Sequence, residues 1–404
     1  MNRRGLANQL ESPIRHSLPE SMPNLTVVPR ISSLSLTGFR NYRGYCLDCT
    51  APVVVVTGAN GAGKTNLLEA LSLFSPGRGL RRAAIADFQH QPLRQPTSLA
   101  EPEEPPPAWT VSIELVTARG SYQLGTGLDR TGGEAPKRII VVDGKPQKGQ
   151  GILTELLAVI WLTPQLDRIF LESSSTRRGW FDRIVAGLIP DHQKQMSSYD
   201  HALRERTRLL REGCNDDHWF HALESIMASK SVAIAAARNT VAEGLNRQIA
   251  SRPTTVFGSP QLAVLGSVEE GLRLNSARLV EESLLLSYGN SRTQDRTNGH
   301  CSLGTHRSEI TVTNGGDGRA AAMTSTGEQK SLLLALFVAE ARLICEMRGE
   351  PPLVLLDDLP AHFDAQRLTA LQSILVELGG QVWLTGTNRA DFASLAPRAQ
   401  WIGL

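Results

Sequence analysis

One stretch of eight residues constrains this chain more than any other. Residues 58–65 read Gly-Ala-Asn-Gly-Ala-Gly-Lys-Thr, which fits the pattern G-x-x-x-x-G-K-[ST]. Four valines at 53–56 precede it and predict a buried parallel strand, and residues 66–74 follow it with the composition of a helix. A strand, a glycine-rich loop and a helix in this order predict a phosphate-binding P-loop. The alternative, a chance match among 35 glycines, explains neither the strand nor the helix.

The P-loop assigns a role to each of its residues. Its glycines let the backbone turn N–H groups toward phosphate, and the helix N-terminus adds partial positive charge. We expect Lys64 to reach the β- and γ-phosphates of ATP and to act in catalysis, and the Thr65 hydroxyl to bind Mg²⁺. The predicted cofactor-binding residues of this segment are Gly58, Ala59, Asn60, Gly61, Ala62, Gly63, Lys64, Thr65 and Asn66.

A second motif predicts the other half of the metal site. Residues 353–356 read Leu-Val-Leu-Leu, and Asp357 and Asp358 follow directly. An apolar strand that ends in acids has the Walker B form. We expect Asp357 to hold Mg²⁺ opposite Thr65, and Asp358 to accept a proton from the attacking water as a catalytic base. The alternative is an ordinary strand end with two solvated acids, which a P-loop in the same chain disfavours.

A third motif, Ser-Thr-Gly-Glu-Gln-Lys at 325–330, precedes a helix expected over 331–347. Ser325 and Gly327 suit the binding of a γ-phosphate by a hydroxyl, a backbone N–H and the helix dipole together. Gln329 completes the predicted cofactor-binding set. The alternative is a simple capping box that joins Ser325 or Thr326 to Glu328 or Gln329.

Composition and charge exclude some classes of protein and favour others. The chain is 41% hydrophobic and 20% charged, and no apolar run approaches the roughly 20 residues needed to span a bilayer. It also lacks a secretory signal, so we expect a cytoplasmic protein with no membrane partner. Residues 177–211 hold eight Lys/Arg against four Asp/Glu, whereas residues 340–404 hold five against eight. This segregation suits a nucleic-acid surface, although an ordinary solvated helix face is the alternative.

The P-loop, the motif at 325–330 and Walker B occur in the order found in ABC-type ATPases, and the motif at 325–330 resembles the signature motif of those proteins. The details resemble the RecF family of DNA repair ATPases, which is related to the SMC proteins. The stretches that carry the resemblance are residues 38–42, 58–70, 77–81, 163–164 with 177–182, and 325–330 with 355–358. Residues 304–309 depart from the family by reading Gly-Thr-His-Arg-Ser-Glu, and residues 361–364 by reading Ala-His-Phe-Asp. Gln165 is a candidate Q-loop residue.

The resemblance implies an α/β fold: a P-loop ABC-type ATPase head with a mixed sheet and an antiparallel β subdomain, plus a helical lobe inserted between Walker A and the signature motif. The predicted units are a disordered leader at 1–25, the N-terminal part of the head at 26–185 with a proline-rich insertion at 91–108, the helical lobe at 186–298, and the C-terminal part of the head at 299–404. Within them we expect helices over 152–160 and 268–288, a polar linker over 290–300 and a last strand over 381–387.

The resemblance also implies a head that works in pairs. Each ATP would lie between the P-loop of one chain and Ser325 and Gly327 of another, so that ATP joins a homodimer and hydrolysis releases it. The implied partners are duplex and gapped DNA, including single-strand/double-strand junctions, together with RecR and RecO, which help to load a recombinase. Asp358 is one methylene shorter than the usual glutamate, which predicts slow hydrolysis. The basic candidates for DNA contact are Arg78, Arg81, Arg82, Arg177, Arg178, Arg204, Arg206 and Arg208, and the sequence does not select among them.

Other classes fit the sequence less well. A transporter ATPase subunit places its signature nearer the P-loop, whereas Lys64 and Ser325 are 261 positions apart here (325 − 64). A full SMC protein needs long heptad repeats, which the chain lacks. The alternatives that stay open are the head of another SMC-like complex and a weakly hydrolysing, ATP-gated DNA scaffold.

Overall fold

The parallel sheet that carries the P-loop joins strands from distant parts of the sequence. The computed structural model describes residues 28–90, 108–129, 137–252, 256–359 and 363–404. The strands of this sheet are β3 (Val53–Thr57), β8 (Val159–Leu162), β11 (Leu353–Leu356), β12 (Val382–Gly386) and β13 (Ala399–Gly403). They pair in parallel in the order β13-β3-β12-β11-β8. Burial on both faces explains why β3 and β11 are unbroken apolar runs.

An antiparallel sheet lies beside the parallel one. Its strands are β1 (Arg30–Phe39), β2 (Tyr42–Asp48), β4 (Thr110–Thr117), β5 (Gly120–Asp129), β6 (Lys137–Val142) and β7 (Lys145–Pro146). They are ordered β2-β1-β4-β5-β6-β7. Asp143 and Gly144 both have positive φ, 49° and 76°, as a two-residue hairpin turn of type I′ requires. The antiparallel β subdomain expected from the sequence is therefore confirmed.

The helices cover these sheets and form a separate lobe. They are α1 (Lys64–Ser72), α2 (Gly151–Leu156), α3 (Ser174–Leu188), α4 (His192–Arg211), α5 (Asp217–Ser251), α6 (Ser267–Leu274), α7 (Ala277–Asn298), α8 (Thr326–Arg348) and α9 (Ala365–Glu377). Three hydrophobic cores result. One lies between α8, its neighbours α3, α5 and α9, and the parallel sheet. The second fills the space between the two sheets, and the third lies within α4, α5 and α7.

A buried ionic network ties the helical lobe together. The guanidinium of Arg206 is fully buried, and it donates to Glu224 Oε1 at 2.9 Å, to Asp295 Oδ2 at 2.7 Å and to the Tyr288 carbonyl at 2.8 Å. Arg292 also donates to Glu224, at 2.6 Å. These bonds join α4, α5 and α7. The prediction that Arg206 contacts DNA is therefore wrong, because its side chain is a core element of the lobe.

The structure differs from the predicted helices where polar residues obscure the pattern. The helix expected over 152–160 ends at Leu156, and the next apolar residues form β8. The stretch 268–288 is two helices, because Ser276 is extended and caps α7 by accepting from the Leu279 N–H. The linker predicted over 290–300 is wrong: α7 continues to Asn298, with Asp295 and Arg292 bonded into the lobe.

Two strands were not predicted. β9 (Pro260–Leu265) lies inside the range assigned to the helical lobe, and it pairs with β10 (Glu309–Asn314). β13 pairs with β3 and forms the edge of the parallel sheet. The predicted leader and residues 91–107 of the predicted insertion lie outside the described residues. In the described part of the chain, no helix is both long and apolar enough to cross a membrane.

Candidate nucleotide-binding site

The P-loop leaves β3 at the carboxyl edge of the parallel sheet and ends where α1 begins. Gly61 has a φ of 83° and Gly63 a φ of 107°, values that glycine adopts readily and other residues do not. A Cβ on Gly63 would lie 2.4 Å from Asn41 Nδ2 and 2.8 Å from the Tyr42 hydroxyl. The Gly63 position is therefore restricted to glycine by backbone conformation and by packing against the turn at 41–42.

Lys64 extends over the loop that precedes it. Its Nζ donates to the carbonyls of Gly58 and Ala59 at 2.8 and 2.9 Å, and the residue is only 7% exposed. The ammonium is thus held at the mouth of the loop by neutral acceptors alone. Because a phosphate oxygen is a charged acceptor, it would bind this ammonium more strongly than either carbonyl does.

Thr65 and Asp357 meet across the sheet, as the sequence predicts. The Thr65 hydroxyl donates to Asp357 Oδ1 at 2.9 Å, and the Thr385 hydroxyl donates to the same oxygen at 2.8 Å. Burial raises the pKa of Asp357, against the hydrogen bonds from Thr385 and Thr65, which lower it. A buried carboxylate beside a hydroxyl is the oxygen donor set that Mg²⁺ prefers, so these residues fit the predicted ion.

Asp358 is held in an unusual backbone conformation. Its φ is 50°, in the left-handed region that few residues other than glycine adopt, and its N–H donates to Thr385 Oγ1 at 2.9 Å. Thr385 therefore binds both acids of Walker B through one hydroxyl. The sequence placed Thr385 only within the strand expected over 381–387. The signal that was available is a hydroxyl residue at the carboxyl end of the strand next to the P-loop strand.

A second buried network fixes the outer side of α1. Glu69 is fully buried, and it accepts two hydrogen bonds of 2.8 Å from Arg40 and one of 3.2 Å from Arg81. Asn66, a predicted cofactor-binding residue, donates to Asn41 at 2.8 Å and accepts from Arg81 at 2.7 Å. The Asn66 side chain therefore joins the P-loop helix to two neighbouring loops. Sequence reasoning did not identify Glu69 as part of the site.

The signature motif forms the N-terminus of α8, so Gly327 lies in the first helical turn rather than before the helix. Ser325 and Glu328 form a capping box, with the Ser325 N–H donating to Glu328 Oε2 at 2.8 Å. Ser325 is exposed and Gly327 has open space where a Cβ would lie. Gln329 differs, because its buried amide donates to the Thr324 carbonyl at 2.9 Å. Gln329 thus positions the motif, while Ser325 and Gly327 present it.

The signature motif and the P-loop open on the same edge of the sheet but at different places. Near the start of α8, Lys330 pairs with Asp167 at 3.2 Å, just beyond the carboxyl end of β8. At the end of α8, Arg348 donates to the Thr154 carbonyl of α2, the helix that precedes β8. β8 and β3 are three strand spacings apart in the sheet order, which is about 14 Å. Ser325 therefore lies to one side of the P-loop of its own chain.

Comparison with known proteins agrees with this arrangement. Residues 30–396 match the family model described as the RecF/RecN/SMC N terminal domain. The DNA replication and repair protein RecF of Mesorhizobium japonicum is 39% identical over 373 residues, covering 92% of this chain and 95% of the relative. The chain belongs to the RecF family. The RecF of Rhizobium rhizogenes is 40% identical over 372 residues, covering 92% of this chain and 96% of the relative.

Solved structures of the RecF family share the fold. The recombination mediator protein RecF-ATPrS of the RecFOR pathway superposes with a TM-score of 0.78 at 22% identity, covering 91% of this chain and 94% of that one. The corresponding RecF-ATP structure gives 0.77 at 22% identity, with coverage of 92% and 95%. The predicted fold class, an α/β head of the ABC type with an antiparallel subdomain and helical regions, is confirmed.

The candidate DNA-contact arginines differ in the groups to which their side chains are bonded. Arg81 and Arg177 are paired with buried or half-buried glutamates, at Glu69 and Glu309. Arg208 pairs with two glutamates of its own helix. Arg78 and Arg82 are exposed on the loop that follows α1. Arg178 and Arg204 donate to backbone carbonyls, so no carboxylate in those bonds neutralises their charge.

Proposed function

We propose that this chain is an ATP-dependent DNA-binding protein of replication and recombinational repair. In this proposal it dimerises on duplex DNA at single-strand gaps when ATP is bound, and slow hydrolysis releases it. Membership of the RecF family supports the role in DNA repair. Of the finer points, the ATP-dependent dimer rests on the site, whereas the gapped DNA and the DNA-stimulated ATPase rest on the family resemblance.

The residues at the carboxyl edge of the sheet are suited to hold a nucleotide with its metal. The N–H groups of residues 58–65 would bind phosphate oxygens, Lys64 would exchange its carbonyl acceptors for phosphate, and Thr65 and Asp357 would hold Mg²⁺. Bound Mg²⁺ neutralises phosphate charge and orients the phosphates. Asp358 would accept a proton from water, and its shorter side chain and fixed backbone favour a low rate.

One observation carries the dimer: α8 begins beside the carboxyl end of β8, and β8 is three strand spacings, about 14 Å, from the P-loop strand β3. A hydroxyl and a glycine at a helix N-terminus suit an anion, but the P-loop that would supply it is out of reach in the same chain. A second copy that faces the first brings each Ser325 to the other P-loop.

The proposed partners follow from the family. The two solved relatives are recombination mediators of the RecFOR pathway. We extend RecO and RecR to this chain as partners that help to load a recombinase, with the cytoplasm as the place of action. A weakly hydrolysing ATP-gated scaffold is the competing activity, and the constrained Asp358 is the observation that favours it.

The mass of the protein with and without ATP, measured by sedimentation velocity, tests the proposal. We expect a monomer without nucleotide and a dimer with Mg²⁺-ATP for the wild type. Lys64→Ala should stay monomeric because it does not hold the nucleotide. Ser325→Arg should bind ATP with unchanged affinity and yet stay monomeric, because the added side chain blocks the partner's phosphate.

A matched control separates loss of the interface from loss of a helix cap. Ser276→Arg removes the exposed serine that caps α7, far from the P-loop in the sequence, and should dimerise as the wild type does. A Ser325→Arg protein that still dimerises with ATP would refute the proposed interface. ATPase assays with and without gapped DNA then decide between slow hydrolysis and the scaffold, which would show little turnover above that of Lys64→Ala.

A further inference from the structure

A cleft of about 750 Å³ lies where the helical lobe meets the head. Its walls come from α3, the second half of α4, the residues after α7 and the 3-10 turn Thr305–Arg307. The charged residues on these walls are Arg178, Arg204, Arg208, Arg211, Arg307 and Glu212. The lining of the cleft thus includes five guanidinium groups and one carboxylate. The cleft lies apart from the P-loop and from the signature motif, and neither uses these arginines.

One wall is a row along a single face of α4. Arg204, Thr207, Arg208 and Arg211 follow the spacing i, i+3, i+4 and i+7, which places them on the same side of a helix. At a rise of about 1.5 Å per residue the row is about 10 Å long. Duplex DNA advances about 3.4 Å along its axis for each phosphate of one strand, so the row matches the axial rise of about three phosphates.

The charge of most of these arginines is not neutralised by the bonds that hold them. Arg204 donates to the Asp200 carbonyl at 3.1 Å, and Arg211 to the Gly299 carbonyl at 2.8 Å. Arg208 is the exception, because it pairs with Glu205 and Glu212. A backbone carbonyl orients a guanidinium without removing its net charge, so the remaining N–H groups stay available to an anion.

The opposite wall is rigid and carries the same sign of charge. Arg307 donates to the Cys301 carbonyl at 2.7 and 3.0 Å, and Arg178 to the Ser308 carbonyl at 2.8 Å. Burial lowers the pKa of Arg178, and the guanidiniums of Arg238 and, to a smaller degree, Arg307 lower it further. The nearby carboxylates raise the pKa but do not cancel this effect. His306 braces this wall by its bond to the Tyr199 hydroxyl at 2.6 Å. A wall fixed in advance loses little conformational freedom when it binds a ligand.

We propose that this cleft holds one phosphodiester strand of duplex DNA, with Arg204 and Arg211 on one side of it and Arg178 and Arg307 on the other. This inference rests on the proposed function and locates its DNA contact. Guanidinium groups on phosphate position a duplex without reading its sequence. The same chemistry would suit a small free phosphate compound, but a row of about 10 Å is longer than a single phosphate needs.

The experiment compares two double variants that remove the same charge. Arg204→Ala/Arg211→Ala removes two of the three arginines on the α4 wall and leaves Arg208. Arg247→Ala/Arg278→Ala removes two exposed arginines elsewhere, which are 60% and 88% exposed and paired with Glu346 and Glu282. Fluorescence anisotropy with a labelled duplex at 50 to 200 mM NaCl gives Kd and its salt dependence for each, and thermal unfolding checks that each is folded.

We expect the cleft variant to bind duplex DNA at least tenfold more weakly at 50 mM salt, to the same degree for unrelated sequences. Two lost phosphate contacts make the negative slope of log K against log salt shallower by about 1.8. The ratio of the variant's Kd to the wild-type Kd should therefore shrink about twelvefold between 50 and 200 mM salt. The control pair should keep the wild-type slope. Arg307→Ala tests the opposite wall, with a slope change of about 0.9, should the α4 variant unfold.

Each other outcome has a definite meaning. A cleft variant with the wild-type slope overturns the cleft as the DNA site, while the proposed function stands on the DNA binding of the wild type. A wild type that binds no duplex at any salt refutes the proposed function itself. Saturable binding of inorganic pyrophosphate that the cleft variant loses, with DNA binding unchanged, would assign the cleft to a small phosphate compound instead.

Discussion

Thr385 offers a direct test of how the metal site is held. Its buried hydroxyl donates to Asp357 Oδ1 at 2.8 Å and accepts from the Asp358 N–H at 2.9 Å. Thr385→Val keeps the shape of the side chain and removes both bonds. One bond to a carboxylate and one unpaired N–H together cost about 3 kcal/mol of the free energy of unfolding, which urea unfolding measures.

Thr385→Val should also shift the pH profile of ATP hydrolysis, in a direction that a loss of stability alone would not produce. The Thr385 hydrogen bond lowers the pKa of Asp357, so its loss raises that pKa further. In the proposed mechanism Mg²⁺ binds the ionised carboxylate of Asp357, so ATP hydrolysis should fall as the pH falls through the pKa of Asp357. We therefore expect the acid limb of the pH profile of Mg²⁺-dependent ATP hydrolysis to move to higher pH in Thr385→Val, with a higher Mg²⁺ requirement.

Thr385→Ser is the matched control, because it keeps the hydroxyl and loses only a methyl group. It should restore the acid limb and the Mg²⁺ requirement of the wild type even if it is somewhat less stable. A folded Thr385→Val protein with the acid limb and Mg²⁺ requirement of the wild type would show that Thr385 does not position Asp357.

Two further predictions concern buried charges. Burial raises the pKa of Glu340 on α8 from 4.5 to about 7, so its contribution to stability is complete below 4.5 and is lost as the pH rises through 7. The free energy of unfolding should fall by about 3 kcal/mol over that interval in urea titrations, and this fall should be absent in Glu340→Gln. Arg206→Ala should cost about 3–5 kcal/mol because it leaves Glu224 and Asp295 buried without their partner. The folded fraction of Arg206→Ala should bind DNA with the salt dependence of the wild type. A change in the slope of log K against log salt would indicate that Arg206 contacts DNA.

The parts of the site that sequence predicts well are those in which the chemistry is local. The P-loop needs its glycines, lysine and threonine in one short run, and Walker B needs acids directly after an apolar strand. The Thr65–Asp357 bond follows once both strands lie in one sheet. The signature motif was found, but the start of its helix was placed too late, because the capping box makes Thr326 the first helical residue.

The parts that sequence missed depend on partners far away in the chain. Residues 290–298 look like a linker because their helix is stabilised by polar bonds, such as that of Asp295 to Arg206, which hydrophobic periodicity does not register. β13 has five residues and no clear alternation, and it becomes a strand because β3 offers it an edge. Thr385 gains its role only through acids 27 and 28 positions earlier.

The position of β3 in its sheet has a consequence for folding during synthesis of the protein. Its neighbours in the described sheet are β12 and β13, which follow it by more than 320 residues. At about 5–20 residues per second, a ribosome needs roughly 16 to 64 s to deliver them. During that time the four valines ahead of the P-loop have no strand to pair with. The capacity to hold a nucleotide therefore appears last in synthesis, and a chain broken anywhere before β12 lacks it.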